Sequence, residues 1–163
     1  MTRPAWVPAN GIVVDELFVL PDWIDYNGHM NVAYFSKAFE VGIDSYKALV
    51  GLTLDYIARE GRSTVALEAH VRYRREAALG DRLRVETRIA DFDGKRVHVY
   101  QELYRDDVLL ASQETLAISF DTAARRSCAF ETSIAENYRQ LFAAAQALSR
   151  PELGRGIAID RSR

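Results

Sequence analysis

One helical segment constrains this chain more than any other feature. Val32, Phe35, Phe39, Ile43, Tyr46 and Val50 recur at steps of three or four residues, the spacing of one helix face. Lys37, Glu40, Asp44 and Lys47 form a single narrow polar stripe. Ala33, Tyr34, Ala38, Val41 and Leu49 make most of the remaining circumference apolar. A surface helix shows one apolar stripe, so a helix this apolar is expected to be mostly enclosed. Asn31 supplies an N-cap and Gly51 a stop. A shorter helix is expected over Leu54 to Glu60, ending at Gly61.

The rest of the chain is read as what encloses that helix. Ile12 to Leu20 reads as a strand ending at Pro21. After Gly61 the apolar period falls to two, the period of a half-buried strand. Val65, Leu67, Ala69, Val71 and Tyr73 form one alternating set, and Leu83, Val85, Thr87 and Ile89 a second. Val97, Val99 and Leu103 form a third, and Val108 to Phe120 is a long apolar strand. Gly80-Asp81, Asp93-Gly94 and Asp106-Asp107 are hairpin turn signals, so the expectation is an antiparallel meander of four strands. Ser133 and Glu136 form a capping-box pattern before a last helix through Leu148, closed by Pro151. The fold class is therefore α+β: one antiparallel sheet wrapped on one long helix. Residues 1–163 are read as one domain, with 152–163 a partly ordered tail. A sheet of this kind leaves an open edge, which predicts a homodimer or a dimer of dimers.

Composition removes several function classes. Apolar residues make up 48% of the chain and charged residues 27%, which excludes a disordered chain. With 21 Lys and Arg against 23 Asp and Glu, no general affinity for nucleic acid or an anionic membrane is expected. The single cysteine, Cys128, excludes a disulfide framework and a CxxC metal site. The N-terminus lacks the apolar core of a signal peptide. No apolar run approaches the ~20 residues of a membrane span. The expectation is a cytoplasmic protein without a metal.

The densest polar cluster is Asp22-Trp23-Ile24-Asp25-Tyr26-Asn27-Gly28-His29-Met30-Asn31, directly before the long helix. Amides at a helix start have no intrahelical partner and carry partial positive charge, so they suit a developing oxyanion. A carboxylate on the preceding loop would act beside them as base or nucleophile.

Asp25-x-x-Gly28-His29-Met30-Asn31 before an aromatic-rich helix resembles the DxxGHxN signature of hotdog-fold acyl-CoA thioesterases, the 4-hydroxybenzoyl-CoA thioesterase-like superfamily. Glu76-x-x-x-Gly80-Asp81-x-Leu83-x-Val85 resembles that family's turn between its second and third strands. The string DWIDYNGHMN, Glu68-x-His70 and Pro151-x-x-Gly154-Arg155 resemble the betainyl-CoA thioesterase-like branch, which includes domains fused to carnitine dehydrogenase. The resemblance implies a hotdog fold and hydrolysis of a small acyl-CoA, betainyl-CoA first, with coenzyme A part of the substrate and no other cofactor. It implies that Asp25 is the catalytic carboxylate and that the Val32 N–H polarises the thioester carbonyl, with Asn31 beside it. Gly28 and His29 complete the loop signature. Glu68 and His70 are placed at the substrate or the dimer seam, and Lys95 and Arg96 near the CoA phosphates. The sequence departs from many relatives in having one asparagine, not two, after the GH pair, and Phe35 where tyrosine is common.

Bland readings compete at several positions. Asp22 matches no motif and reads as structural. Glu40 reads as part of an exposed charge face. Trp6, Trp23, Tyr26 and Tyr34 would make an aromatic cage for a quaternary ammonium or simply pack in the core. Two other functions stay open: a non-catalytic acyl-CoA-binding module, and a hotdog hydratase, whose Asp and His Asp25-x-Asn27-x-His29 superficially resembles.

Overall fold

The computed structural model describes residues 3–149 and 153–154. The expected tail therefore lies outside the described residues, apart from Leu153 and Gly154, and so does Pro151. The long helix forms as α1 (Val32–Val50). Its start is fixed by Asn31, whose Oδ1 accepts the Ala33 N–H at 3.0 Å. Its end is fixed by Gly51, which takes the left-handed conformation at φ 100° that glycine adopts without strain. The short helix α2 (Leu54–Glu60) is capped by Thr53 and stopped by Gly61.

Strands β1 (Val13–Phe18), β2 (Arg62–Tyr73), β3 (Arg82–Phe92), β4 (Arg96–Arg105), β5 (Val108–Asp121) and the two-residue β6 (Arg126–Ser127) form one antiparallel sheet. Its order is β1-β3-β4-β5-β2, with β6 on β5. This corrects the expected four-strand meander. Of the four expected strands, only β3, β4 and β5 follow one another through hairpins, at Asp93-Gly94 and Asp106-Asp107. β2 pairs with β5 at the far side. Gly80-Asp81 is not a hairpin turn: the segment from Arg74 crosses the sheet end, and both Arg74 and Arg75 donate their N–H to the Leu110 carbonyl. The Asp81 N–H then closes a turn onto the Ala78 carbonyl.

β2 holds a second correction. Its register shifts between Ala66 and Glu68, a bulge that places an extra residue at Leu67. Side chains alternate faces along a strand, so the bulge reverses the assignment before it. Ala69 and Val71 face α1 as expected, whereas Val65 and Leu67 are 44% and 55% exposed.

α1 rests directly on the sheet at Gly42. A Cβ there would stand 2.8 Å from both Val85 Cγ1 and Gln101 Nε2, with Thr87 Oγ1 closer still. Thr87, Gln101 and Gln113 lie in register across β3, β4 and β5. Gln101 Nε2 donates to the Phe39 carbonyl of α1 at 2.8 Å and to Thr87 Oγ1 at 3.0 Å. This buried polar row pins the helix to the sheet with its groups paired. On either side lie two apolar clusters. One joins Tyr46, Val50 and Ile89 to Tyr138 and Leu141 of α3 (Thr132–Ala145). The other joins Phe35, Phe39 and Met30 to Leu83, Val85 and Leu103. Each large side chain buried here stabilises the fold by about 1.5–3 kcal/mol.

Two helix expectations need revision. Within one chain α1 buries a single face, Phe35, Ala38, Phe39, Gly42, Tyr46 and Val50. Val32 is 54% exposed, off the buried face. α3 has no capping box. Its N-cap is Glu131, Ser133 Oγ reaches the Glu131 carboxylate at 3.4 Å, and Glu136 pairs with Arg139 at 3.2 Å. The helix ends at Ala145, before Leu148.

Candidate active site

Asp25 sits on a loop fixed at both ends. The Met30 N–H donates to the Ala77 carbonyl at 2.8 Å and the Asn31 N–H to the Trp23 carbonyl at 2.8 Å. Between them the chain turns tightly. Gly28 N–H donates to the Asp25 carbonyl at 2.9 Å, and Asp25 N–H to the His29 carbonyl at 3.0 Å. Gly28 takes φ 82°, where a side chain would be strained.

The Asp25 carboxylate is held at both oxygens. Oδ1 accepts the Asn27 N–H at 2.8 Å, and Oδ2 lies 3.4 Å from Asn31 Nδ2. Asn31 therefore bridges the carboxylate and the first turn of α1, whose Ala33 amide it caps. Val32 opens that turn, and its N–H has no intrahelical acceptor. The arrangement sets a half-buried anion beside an open helix start. That start is the group able to stabilise an oxyanion.

These residues border an open pocket of about 590 Å³, lined by Asp25, Asn27, His29, Met30, Val32, Phe35, Tyr73, Arg74, Arg75 and Glu76. His29 Nε2 is 3.1 Å from Glu76, so this histidine ties the loop to the segment that follows β2. Sequence reasoning named Asp25, Gly28, His29, Asn31 and Val32, and the structure brings them together. It missed Met30, Phe35, Tyr73, Arg74 and Arg75 as pocket walls. The run Tyr73-Arg74-Arg75-Glu76, an aromatic and three charges at a strand end, was the available signal.

Other expected site residues lie elsewhere in the chain. Glu68 and His70 face the side of the sheet away from α1, since the intervening Ala69 lines the cavity under the helix. His70 Nδ1 is 3.5 Å from Glu114, which also holds His98 at 3.0 Å and accepts the Gly154 N–H. Lys95 and Arg96 stand at the β3–β4 hairpin, the opposite end of an eleven-residue strand, or ~30 Å along the sheet from Asp25. The aromatic cage is not assembled. Trp23 and Tyr34 stack with ring centroids 5.2 Å apart and planes 11° apart, which leaves no room for a cation between them. Tyr26 is 95% exposed, and Trp6 follows the N-terminal segment towards the other apolar cluster through Val7. Cys128 is half-buried, 3.5 Å from Ser119 Oγ.

The hairpin also carries a carboxylate shifted by its hydrogen bonds. The Asp93 carboxyl accepts N–H groups of Arg96 and Lys95 and the Arg96 guanidinium, which lower its pKa to about 2. The folded value lies below the unfolded carboxylate value. Its stabilisation is therefore present above pH ~4 and lost as pH falls towards 2. Asp93→Asn is expected to lower the urea midpoint slightly at pH 7 and not at pH 2. Equal losses at both pH values would assign the effect to something other than charge.

Among the described residues, no group of three or more His, Cys, Asp or Glu side chains is placed to hold a metal ion, and no helix is long and apolar enough to cross a membrane.

The fold is that of the hotdog thioesterases. A curled antiparallel sheet cradles one long helix, and a loop carboxylate stands at that helix's start. Residues 19–138 match the family model described as the Thioesterase-like superfamily. The Betainyl-CoA thioesterase of Pseudomonas aeruginosa is 34% identical over 86% of this chain and 91% of its own length. An L-carnitine dehydrogenase/betainyl-CoA thioesterase of Ruegeria pomeroyi is 37% identical over 85% of this chain. The chain spans only 28% of that relative's length. The Staphylococcus aureus protein SAV2348, solved in complex with CoA, superposes with a TM-score of 0.87 at 28% identity, covering 91% of this chain and 96% of that one. This chain belongs to the Thioesterase-like superfamily, in the branch of the betainyl-CoA thioesterases.

Proposed function

We propose that this chain hydrolyses a small acyl-CoA, betainyl-CoA first among candidates, to the free acid and CoA. The observation that carries the reading is the Asp25 carboxylate, linked through Asn31 to the open N-terminus of α1. The thioester carbonyl oxygen meets the Val32 N–H. Asp25 either attacks the carbonyl carbon, forming an acyl anhydride on its carboxylate that water then hydrolyses, or takes a proton from a water that attacks the carbonyl directly. Both routes expel the CoA thiolate, which leaves as the thiol, and end in a free carboxylic acid. A carboxylate, a helix start and water suffice, so the reading needs no metal or redox cofactor. It carries a cytoplasmic location, where acyl-CoA is metabolised. The names of the relatives support the betainyl group.

The working unit in this reading is a homodimer, alone or paired again into a tetramer. The outer edge of β2 is twelve residues long, with Val65 and Leu67 exposed, an edge that favours pairing. A two-fold partner adds its own β2 antiparallel. β2 and β4 both run antiparallel to β5, so β2 starts at the Lys95 end and finishes at the Asp25 end. The partner's hairpin end then comes beside this chain's Asp25, which supplies Lys95 and Arg96 to the CoA phosphates in trans. Glu68 and His70 line the seam on the outer face.

A thiol-release panel of betainyl, short, branched and aromatic acyl-CoAs tests the substrate. The expected result is highest kcat/KM for betainyl-CoA. A higher value for an uncharged acyl group would overturn that choice. Light scattering at micromolar concentration tests the assembly, and a monomer that still hydrolyses acyl-CoA would overturn the trans site.

A further inference from the structure

The betainyl acyl group carries its quaternary nitrogen two bonds from the thioester carbonyl carbon. Whatever recognises that cation must therefore border the pocket that holds Asp25. The cavity under α1 contains Glu40, Lys47 and Tyr46, but within this chain it is too far. Glu40 lies eight helical positions beyond Val32, ~12 Å along the axis.

The charged groups around Asp25 do not choose a cation. Asp25 and Glu76 stand against Arg74 and Arg75, and Glu76 is already engaged by His29. The other polar lining groups, Asn27 and His29, belong to the loop itself. What remains is an aromatic pair. Phe35 is one turn into α1 and only 4% exposed. Tyr73, the last residue of β2, meets it edge to face, with centroids 5.3 Å apart and planes at 85°. Phe35 is fixed in the core and holds the tyrosine, while Tyr73 remains 48% exposed. Both line the pocket with Asp25 and Val32. A trimethylammonium has no hydrogen-bond donor, and an aromatic ring face is a surface that attracts it.

We infer that Tyr73, packed against Phe35 at the wall of the Asp25 pocket, is the specificity-determining residue that recognises the cationic end of the acyl group. The inference rests on the thioesterase reading and on a betainyl-class substrate. It takes the place of the Trp23, Tyr26 and Tyr34 cage, whose rings are stacked or turned to solvent.

The test compares kcat/KM for betainyl-CoA with that for 3,3-dimethylbutanoyl-CoA, in which carbon replaces the charged nitrogen at nearly the same shape. In wild-type protein the expected preference for betainyl-CoA is about tenfold or more. Tyr73→Leu is expected to remove most of that preference, lowering kcat/KM more for betainyl-CoA than for the uncharged isostere. Tyr73→Phe keeps a ring face and is expected to keep the preference. A wild-type protein without the preference would overturn the betainyl reading itself. A Tyr73→Leu protein that keeps the preference would overturn the role of Tyr73 and leave that reading standing. Equal losses on both substrates would make Tyr73 a structural residue and overturn the inference.

Discussion

Changing Asp25 to asparagine is expected to slow thioester hydrolysis about a hundredfold or more while leaving the fold intact. The amide keeps the carboxylate's shape, and its oxygen still accepts the Asn27 N–H that the carboxylate takes at 2.8 Å. The second contact, to Asn31 at 3.4 Å, is long and contributes little. What the amide lacks is the capacity to accept a proton from water or to attack a carbonyl. The loop stays pinned by backbone bonds that do not involve this side chain, at Met30 and Asn31. Thiol release and the thermal midpoint, measured on the same preparation, check both halves. Near wild-type turnover would remove Asp25 from the mechanism. A collapsed midpoint would make it a structural residue.

A second large effect is expected far from the site, on the face of the sheet turned away from α1. Replacing Glu102 with leucine is expected to lower stability by about 3–5 kcal/mol, the cost of leaving a buried charge without its partner. Glu102 and Arg88 are each 4% exposed and form an ion pair. Tyr100 Oη donates to the other Glu102 oxygen at 3.0 Å. Leucine removes the close partner and leaves the guanidinium, among the described residues, only the longer pairing with Glu86 at 4.0 Å. For a chain of this length the loss corresponds to a fall of roughly 6–20 °C in Tm. The double change Arg88→Met with Glu102→Leu removes both charges and is expected to cost much less. Calorimetry on the single and double variants distinguishes a stranded charge from simple loss of packing, since equal losses would point to packing.

What the sequence made legible follows from the range of the forces involved. Asn31, Gly51 and Gly61 mark helix ends through contacts with residues one to four positions away, so α1 and α2 begin and end where the pattern put them. The loop of Asp25, Gly28, His29 and Asn31 is equally local, and its candidate residues were read together. Strand order is a matter of long-range pairing, and nothing near Gly80-Asp81 announces that β2 crosses to the far side of β5. The bulge at Leu67 reverses a face without interrupting the apolar run that contains it. Tyr73 borders the Asp25 pocket only because the end of β2 packs against Phe35 at the start of α1. Trp23 misses the expected cage because Tyr34, one turn into the helix, takes its ring face first.

Free thiol appearing from betainyl-CoA tests the central claim most directly. The account predicts one CoA thiol for each acyl-CoA consumed, sustained over many turnovers by the wild-type chain. Binding of betainyl-CoA with no thiol released, or its consumption without thiol, would contradict hydrolysis at Asp25.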